Sequence, residues 1–176
     1  MAAAAPWVTE PLSAQHELEG FDCGEEALNR WLRRHAYASQ RGDSSKTRVV
    51  CDEGGAVIGY YSLAAGGVDH DDEMVPARIG KGLGQYPIPV VVLTRLAVDQ
   101  RYQTRGLGKA LLADALRRVL EFSETVGIRA LLVHAQSDDA RGWYLHQAEF
   151  ECAPGFPFDL FLLMKDLRAS ARRDAR

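Results

Sequence analysis

The stretch that decides the fold runs from Val90-Val-Val-Leu-Thr-Arg-Leu-Ala-Val98 through Asp99-Gln-Arg-Tyr102 to Gln103-Thr-Arg-Gly106-Leu-Gly108-Lys-Ala110. Its first part is rich in β-branched residues and long enough for a buried central strand. The residues that follow Ala110 place a polar stripe opposite a side rich in Leu, Ala and Val, which predicts an amphipathic helix. A Gly-rich turn between a strand and a helix offers unpaired amides to a phosphate, so the stretch predicts an anion site.

Two better-known phosphate motifs do not fit this turn. The P-loop requires a Ser or Thr after its Gly-Lys pair, whereas Ala110 follows Lys109 and the first glycine of that motif is absent. The dinucleotide fingerprint fails as well, because Leu111 stands at the position of its third glycine. The remaining pattern, Gln103-x-x-Gly106-x-Gly108 after a Val-rich strand, indicates a phosphate-binding α/β domain of another kind.

Hydrophobic periodicity predicts strands and helices on both sides of this stretch. Asp22 and Glu25 resemble a capping box before a helix that carries Leu28, Trp31, Leu32 and His35 on one face. Gly, Pro and acidic residues predict a loop from 66 to 89. The other predicted elements are strands at 7–11, 47–52, 56–63, 128–135 and 159–164 and helices at 37–41 and 138–147. This order favours an α/β sandwich with one mixed sheet.

Length and composition are those of an ordinary globular chain. With 176 residues, 47% of them hydrophobic and 26% charged, we expect one domain. The apolar runs are far shorter than the roughly 20 residues of a membrane span, and the first residues lack the pattern of a signal peptide. Three widely spaced cysteines favour neither a disulfide framework nor a metal knuckle. We therefore expect a cytoplasmic protein that has no metal and does not bind a membrane.

The net charge of −3 conceals an uneven distribution along the chain. Residues 52–73 contain six acidic side chains and no Lys or Arg, and we interpret 69–73 as a solvated loop rather than a metal site. Residues 30–48 contain six basic side chains against one acidic residue, Asp43. This basic zone consists of Arg30, Arg33, Arg34, Arg41, Lys46 and Arg48. It fits either a solvated helix face or a footprint for RNA phosphates.

The turn at 103–110 resembles the pyrophosphate loop of the GNAT acetyltransferase superfamily. Further motifs are similar to its tRNA-acetylating toxin branch, the TacT/AtaT-like proteins. These motifs are Phe21-Asp-Cys-Gly24, Val57-Ile-Gly-Tyr-Tyr-Ser-Leu63, Pro87-Ile-Pro-Val90, Arg95-Leu-Ala-Val-Asp99 and Leu132-Val-His-Ala135. The resemblance implies a GNAT fold with a mixed sheet of about six or seven strands flanked by about four helices. It would occupy residues 1–168 as a single domain, followed by a basic, disordered tail at 169–176.

The resemblance also implies an activity and its partners. Members of this branch use acetyl-CoA to acetylate the amino group of aminoacyl-tRNA, and a ribbon-helix-helix antitoxin neutralises them; a homodimer is expected. An α-amine has a pKa near 8, so it needs less help from a base than a lysine does. No base stands out, since His35 and His134 are interpreted as core residues. Two alternatives stay open: acetylation of a small-molecule or protein amine, and a non-catalytic acyl-CoA-binding module.

Carried over residue by residue, the resemblance assigns a site. The CoA contacts would be Leu96, Ala97, Val98, Gln103, Thr104, Arg105, Gly106, Leu107, Gly108, Lys109, Ala110 and Asp138. An amide near Leu96 would polarise the thioester carbonyl, and Tyr144 would give a proton to the departing thiolate. The helix of Tyr144 departs from the family, since Trp143 precedes the tyrosine and Glu149 replaces a glycine before Phe150. The basic zone would contact tRNA, with Arg78 and Lys81 at the acceptor end.

Overall fold

The structure, a computed structural model, describes residues 7–176. Its strands are β1 (Glu10–Pro11), β2 (Lys46–Cys51), β3 (Val57–Val68), β4 (Ile88–Val98), β5 (Ala130–His134), β6 (Glu151–Ala153) and β7 (Phe156–Leu163). Its helices are α1 (Glu26–Arg34), α2 (Ala36–Arg41), α3 (Ala77–Gly80), α4 (Leu107–Ser123), α5 (Asp138–Gln147) and α6 (Met164–Asp174), and a 3-10 turn covers Gln100–Tyr102.

The strands form a mixed sheet in the order β1-β2-β3-β4-β5-β7-β6. β1, β2 and β3 pair antiparallel, as do β5, β7 and β6, whereas β4 and β5 are parallel. The predicted mixed sheet with flanking helices is therefore confirmed. No helix within residues 7–176 has the length and apolar character that crossing a membrane requires.

The chain forms two compact units, each made of two separate segments. The first contains the described residues of 7–64 and 95–115. In its core, Leu32 from α1 packs with Phe21, Val49 from β2, Tyr60 from β3 and Ala97 from β4. This packing fixes α1 through its apolar face, as the periodicity of the sequence predicts.

The second unit contains residues 65–94 and 116–176. Its core includes Ile79 from α3, Ala130 from β5 and Phe161 from β7. Arg129 holds α3 in place, because its guanidinium group donates to the carbonyl oxygens of Ile79 at 2.8 Å and of Lys81 at 2.9 Å. The single domain predicted over residues 1–168 remains a prediction.

The segment 66–89 is mostly loop, as the sequence predicts, but it also contains the end of β3, the short helix α3 and the start of β4. β3 continues to Val68, α3 lies within the segment, and β4 begins at Ile88. A Cβ atom at Gly66 would lie 3.0 Å from Cγ2 of Val92, so this glycine allows a close approach inside the sheet. The Gly-Gly pair therefore marks tight packing of strands rather than a turn.

Residues 169–174, part of the predicted disordered tail, belong to α6 in the structure. Met164 and Leu167 are buried and fix the start of this helix. Near its end, Nη2 of Arg173 lies 2.8 Å from Oε1 of Glu149. The run of basic residues that suggested disorder is thus the exposed side of a helix.

Three local predictions are also wrong. Asp22 does not cap α1, because the N-cap residue of this helix is Glu25. Oδ1 of Asp22 instead accepts hydrogen bonds from the Gly24 amide and from Nδ2 of Asn29, both at 2.9 Å. His35 and His134 are exposed and not core residues.

Candidate functional site

The turn between β4 and α4 presents a row of free backbone amides. Thr104 and Gly106 adopt positive φ angles of 62° and 86°. The amides of Thr104 through Lys109 donate to no acceptor among residues 7–176. We call these six N–H groups the amide cradle. Together with the N-terminus of the 17-residue helix α4 they favour an anion such as pyrophosphate.

Two of the amides predicted to contact the cofactor are already used. The amide of Gln103 donates to the carbonyl oxygen of Gln100 at 3.4 Å, and that of Ala110 donates to Gly106 at 3.0 Å. The side chain of Gln103 is also occupied, since its Nε2 donates to the carbonyl oxygens of Val98 at 2.9 Å and Cys23 at 3.0 Å. Gln103 therefore closes the turn rather than contacting a ligand with its side chain.

Charge near the amide cradle is positive. Arg105 and Lys109 are exposed and form no ion pair with the described residues. The Arg105 guanidinium group lies 5.3 Å from the centroid of the Tyr102 ring. These two cations are available to a phosphate, as the sequence predicts.

Asp99 anchors the turn from inside the protein, a role that the sequence did not reveal. Its side chain is only 2% exposed. Its carboxylate accepts hydrogen bonds from the amide and guanidinium groups of Arg101 and from the amide of Asp22. Burial alone would raise the pKa of Asp99, but these hydrogen bonds outweigh it, and the pKa lies below its ordinary value.

We expect Asp99→Asn to lower the free energy of unfolding by about 1–3 kcal/mol at pH 7, because hydrogen bonds to a buried charge are lost. Since the pKa of Asp99 is lower in the folded than in the unfolded protein, its contribution is present above about pH 4 and is lost as the pH falls through the folded pKa. Urea denaturation from pH 7 to pH 2 measures both effects. If the free energies of unfolding of wild type and variant differed by the same amount at pH 7 and at pH 2, the role of the Asp99 carboxylate as a charged anchor would be contradicted.

No described strand pairs with the outer part of β4, at Leu96 and Val98, on the side of the strand that faces away from β3. Pairing of β4 with β5 ends at Leu93 and Val133. The Asp99 amide donates to Ile58 of β3 at 2.9 Å, and alternate amides of a strand point to opposite edges. The amides of Leu96 and Val98 therefore point away from β3, which suits the predicted pairing with a pantetheine arm.

Tyr144 lies on α5 with only 8% of its surface exposed. Its ring packs edge-on against Trp143 at 5.0 Å and Phe150 at 5.8 Å between centroids. No group among residues 7–176 forms a hydrogen bond with its hydroxyl. Burial raises the pKa of the phenol, so the group keeps its proton at neutral pH. Such a hydroxyl can donate to a ligand, as a general acid requires.

Asp138, the remaining predicted cofactor contact, is the first residue of α5. Its side chain is exposed, and Oδ1 lies 3.9 Å from Nη1 of Arg141 one helical turn later. Ser137 caps the helix by accepting a hydrogen bond from the Ala140 amide at 3.1 Å. The geometry of Asp138 favours a helix-terminus role, and its contact with CoA remains a prediction.

The basic zone divides into free and paired side chains. Arg30 and Arg34 of α1 and Arg41 of α2 are exposed and form no ion pair with the described residues. Because Arg30 and Arg34 are four residues apart on a helix, they share one face. Lys81, beyond α3, is also exposed and unpaired among residues 7–176. These cations are available to an RNA backbone.

Other predicted RNA contacts are held by protein groups. Arg33 donates to Glu26 at 3.1 Å and Lys46 lies 2.5 Å from Asp43. Arg48 donates to Oγ1 of Thr9, and its guanidinium group lies 3.8 Å from the carboxylate of Asp114. The guanidinium group of Arg78 lies 2.8 Å from the carboxylate of Asp166 and 3.5 Å from that of Glu151. The hydrogen bond with Asp166 raises the pKa of Arg78. The structure thus favours structural roles for Arg48 and Arg78.

One cluster could be mistaken for a metal site. Ligand atoms of Glu10, His16 and Cys51 all lie within 4.8 Å of one another. The Ser13 amide donates to Nδ1 of His16 at 2.9 Å, so a neutral ring carries its proton on Nε2, 2.8 Å from Glu10. Both ring nitrogens of His16 are thus engaged by protein groups, and the expected absence of a metal remains a prediction.

Comparison with known proteins decides the family. The model of the acetyltransferase (GNAT) family matches residues 12–150. The chain belongs to the GNAT acetyltransferase family. A tRNA-acetylating toxin of Mycobacterium tuberculosis is 42% identical over 158 residues, which are 90% of this chain and 92% of that protein. The acetyltransferase resemblance predicted from the sequence motifs is therefore confirmed.

Solved structures of GNAT toxins are similar over nearly the whole chain. A tyrosine-to-phenylalanine mutant of KacT has a TM-score of 0.84 at 29% identity, with 94% of this chain and 99% of that chain covered. AtaT complexed with acetyl-methionyl-tRNAfMet has a TM-score of 0.82 at 30% identity, with 92% and 97% covered. Other AtaT structures contain acetyl-CoA or the antitoxin AtaR. In this GNAT acetyltransferase, the amide cradle, Leu96 and Tyr144 all lie within the matched span.

Proposed function

We propose that this GNAT acetyltransferase transfers the acetyl group of acetyl-CoA to the α-amino group of aminoacyl-tRNA and so acts as a toxin that blocks translation. The observation that carries the proposal is the amide cradle, which fits the pyrophosphate of CoA. The relative that shares 42% identity is a tRNA-acetylating toxin, and AtaT has been solved with an acetylated tRNA. These similarities support charged tRNA as the acceptor.

The chemistry follows from the groups that the chain supplies. The unprotonated α-amine attacks the thioester carbon, a C–N bond forms, and the C–S bond breaks. An amide near Leu96 stabilises the developing negative charge on the carbonyl oxygen. Tyr144 gives its phenolic proton to the departing sulfur, and the proton released from the amine restores the phenol through solvent. No strong base is required, because the α-amine of an aminoacyl ester is only weakly basic.

The tRNA backbone would be bound by the exposed cations of α1 and α2. Each phosphate contact releases counterions, so affinity falls as salt rises. The free guanidinium groups of Arg30, Arg34 and Arg41 suit this role, since they are exposed and carry no carboxylate partner among residues 7–176. Arg33 and Lys46 contribute less, because protein carboxylates already hold them.

We expect charge reversal of Arg30 and Arg34 to raise the KM for charged tRNA by about tenfold or more, because two phosphate contacts become repulsive. The KM for acetyl-CoA should stay within about twofold of the wild-type value. Initial rates of acetyl transfer at several salt concentrations measure both constants. A KM for charged tRNA that stays at the wild-type value would contradict the role of Arg30 and Arg34 in RNA binding.

Similarity to toxins that were solved with their antitoxins supports the proposed protein partners. AtaT has been solved with its antitoxin AtaR, and a KacTA complex has been solved with DNA. We propose that a ribbon-helix-helix antitoxin neutralises this chain, that the active form is a homodimer, and that it acts in the cytoplasm. Co-purification with the product of an adjacent small gene, followed by loss of acetyl transfer in the complex, tests the antitoxin assignment.

A further inference from the structure

Arg95 is a charged residue that the proposed mechanism does not use. Its guanidinium carbon lies 4.0 Å from the centroid of the Trp31 ring. Trp31 in turn stacks on Tyr60, with centroids 6.0 Å apart and an interplanar angle of 17°, and Tyr60 meets Phe21 edge-on at 5.6 Å. We call this group of four side chains the Arg95 stack. It lies wholly within the first compact unit.

The half-buried Arg95 cation has no anionic partner among the described residues. The side chain is half-buried, yet it forms no hydrogen bond and no ion pair with any of residues 7–176. Burial lowers the pKa of Arg95. A cation that is partly removed from water is stabilised when an anion satisfies its donors. The stack therefore supplies a positive charge without the negative charge that would balance it.

The chemistry of the group favours an oxyanion. The guanidinium carbon of Arg95 lies over the Trp31 ring, and its N–H donors form no hydrogen bond with the described residues. A planar fork of this kind binds two oxygens of a phosphate or a carboxylate at once. Contact with the Trp31 ring restricts the Arg95 side chain before a ligand binds, so less side-chain entropy is lost on binding.

The neighbouring residues favour RNA as the source of the phosphate. Trp31 belongs to α1, where Arg30 precedes it and Arg34 follows three residues later on an adjacent position of the helix surface. Both are exposed cations that no carboxylate among residues 7–176 neutralises. Arg95 thus packs on the helix that carries two free cations, and both of these suit an RNA backbone.

We propose that the Arg95 stack binds a phosphodiester group of the RNA substrate. This inference rests on the proposed function. It assigns to Arg95 the positioning of the RNA, whereas the six N–H groups of the amide cradle serve the cofactor. Arg95 therefore acts on RNA affinity and not on affinity for acetyl-CoA.

Binding of deacylated tRNA by Arg95→Gln tests the proposal without requiring turnover. We expect about tenfold weaker binding, and a slope of log affinity against log salt that is smaller by about one unit, as for the loss of one phosphate contact. Arg95→Lys keeps the charge but not the forked guanidinium group, so its affinity for tRNA should lie between those of the wild type and Arg95→Gln. Thermal denaturation verifies that the variants are folded.

Arg105→Gln is the matched control, because Arg105 also lies over an aromatic ring but beside the amide cradle. It should weaken acetyl-CoA binding and leave tRNA binding near the wild-type value. Wild-type tRNA affinity and salt slope in Arg95→Gln would overturn the proposal, as would an equal loss of acetyl-CoA affinity. If the wild type binds tRNA but acetylates no charged tRNA, the proposed function fails instead, and the two failures remain distinguishable.

Discussion

Tyr144→Phe should lower the rate constant of acetyl transfer by about 10²–10⁴-fold, the usual range for loss of a general acid. The phenol is buried, no described residue occupies its hydroxyl, and removal of one oxygen leaves the contacts with Trp143 and Phe150 in place. Affinity for acetyl-CoA should stay within about twofold. Because burial raises the pKa of Tyr144, the rate should not fall as the pH rises through 10, where an ordinary tyrosine ionises.

Tyr61→Phe is the matched control for this variant. Tyr61 is also buried, but its hydroxyl donates to Oδ2 of Asp114 at 2.6 Å. Its loss should reduce the free energy of unfolding by about 1–2 kcal/mol and leave the transfer rate near the wild-type value. Single-turnover measurements on both variants separate chemistry from binding. Equal rates for Tyr144→Phe and wild type would reduce Tyr144 to a core residue.

Gly106→Ala should weaken acetyl-CoA binding by about 10–100-fold. Gly106 has a φ of 86°, which a residue with a Cβ adopts at a cost of about 1–2 kcal/mol. Apart from its two chain neighbours, no described residue has an atom within 4 Å of a Cβ at Gly106, so the substitution creates no clash with them. The loss would come from the tilt of the cradle amides and from the methyl group beside the bound phosphate.

Gly55→Ala separates backbone strain from ligand binding. Gly55 also has a φ of 86° and open space around its Cβ position, but it lies in the turn between β2 and β3. Both substitutions should destabilise the fold by similar amounts, and only Gly106→Ala should lose acetyl-CoA affinity. Calorimetric titration with acetyl-CoA and thermal denaturation of both variants measure the two effects. An equal loss of affinity in the two variants would refute the role of the cradle.

Local sequence patterns predicted the strand β4, the turn and the helix α4, because β-branched runs, glycines and helical periodicity act over a few residues. The pairing of charges was not predictable in this way. Arg48 and Arg78 look like free cations in the sequence, but their partners Asp114 and Asp166 are 66 and 88 residues away. Which basic residues remain free therefore depends on the tertiary fold.

The same limit explains what the sequence missed in the candidate site. Asp99 and Arg95 belong to the motif that identified the family, yet only the fold shows that one is a buried anchor and the other lacks a partner. The basic residues at 169–174 suggest a tail in the sequence, but in the fold they continue α6, whose first turns are held by the buried Met164 and Leu167. His134 was interpreted as buried, whereas it is exposed and forms a hydrogen bond with Asp159.

Labelled acetyl transfer to a total tRNA pool, charged or deacylated, tests the central claim most directly. After base hydrolysis of the product, mass spectrometry identifies the acetylated compound. We predict N-acetylated amino acids from the charged pool, no label in the deacylated pool, and a large loss of signal with Tyr144→Phe. Absence of label in both pools, in protein that binds acetyl-CoA, would contradict the account and direct attention to other amines or to a non-catalytic acyl-CoA-binding role.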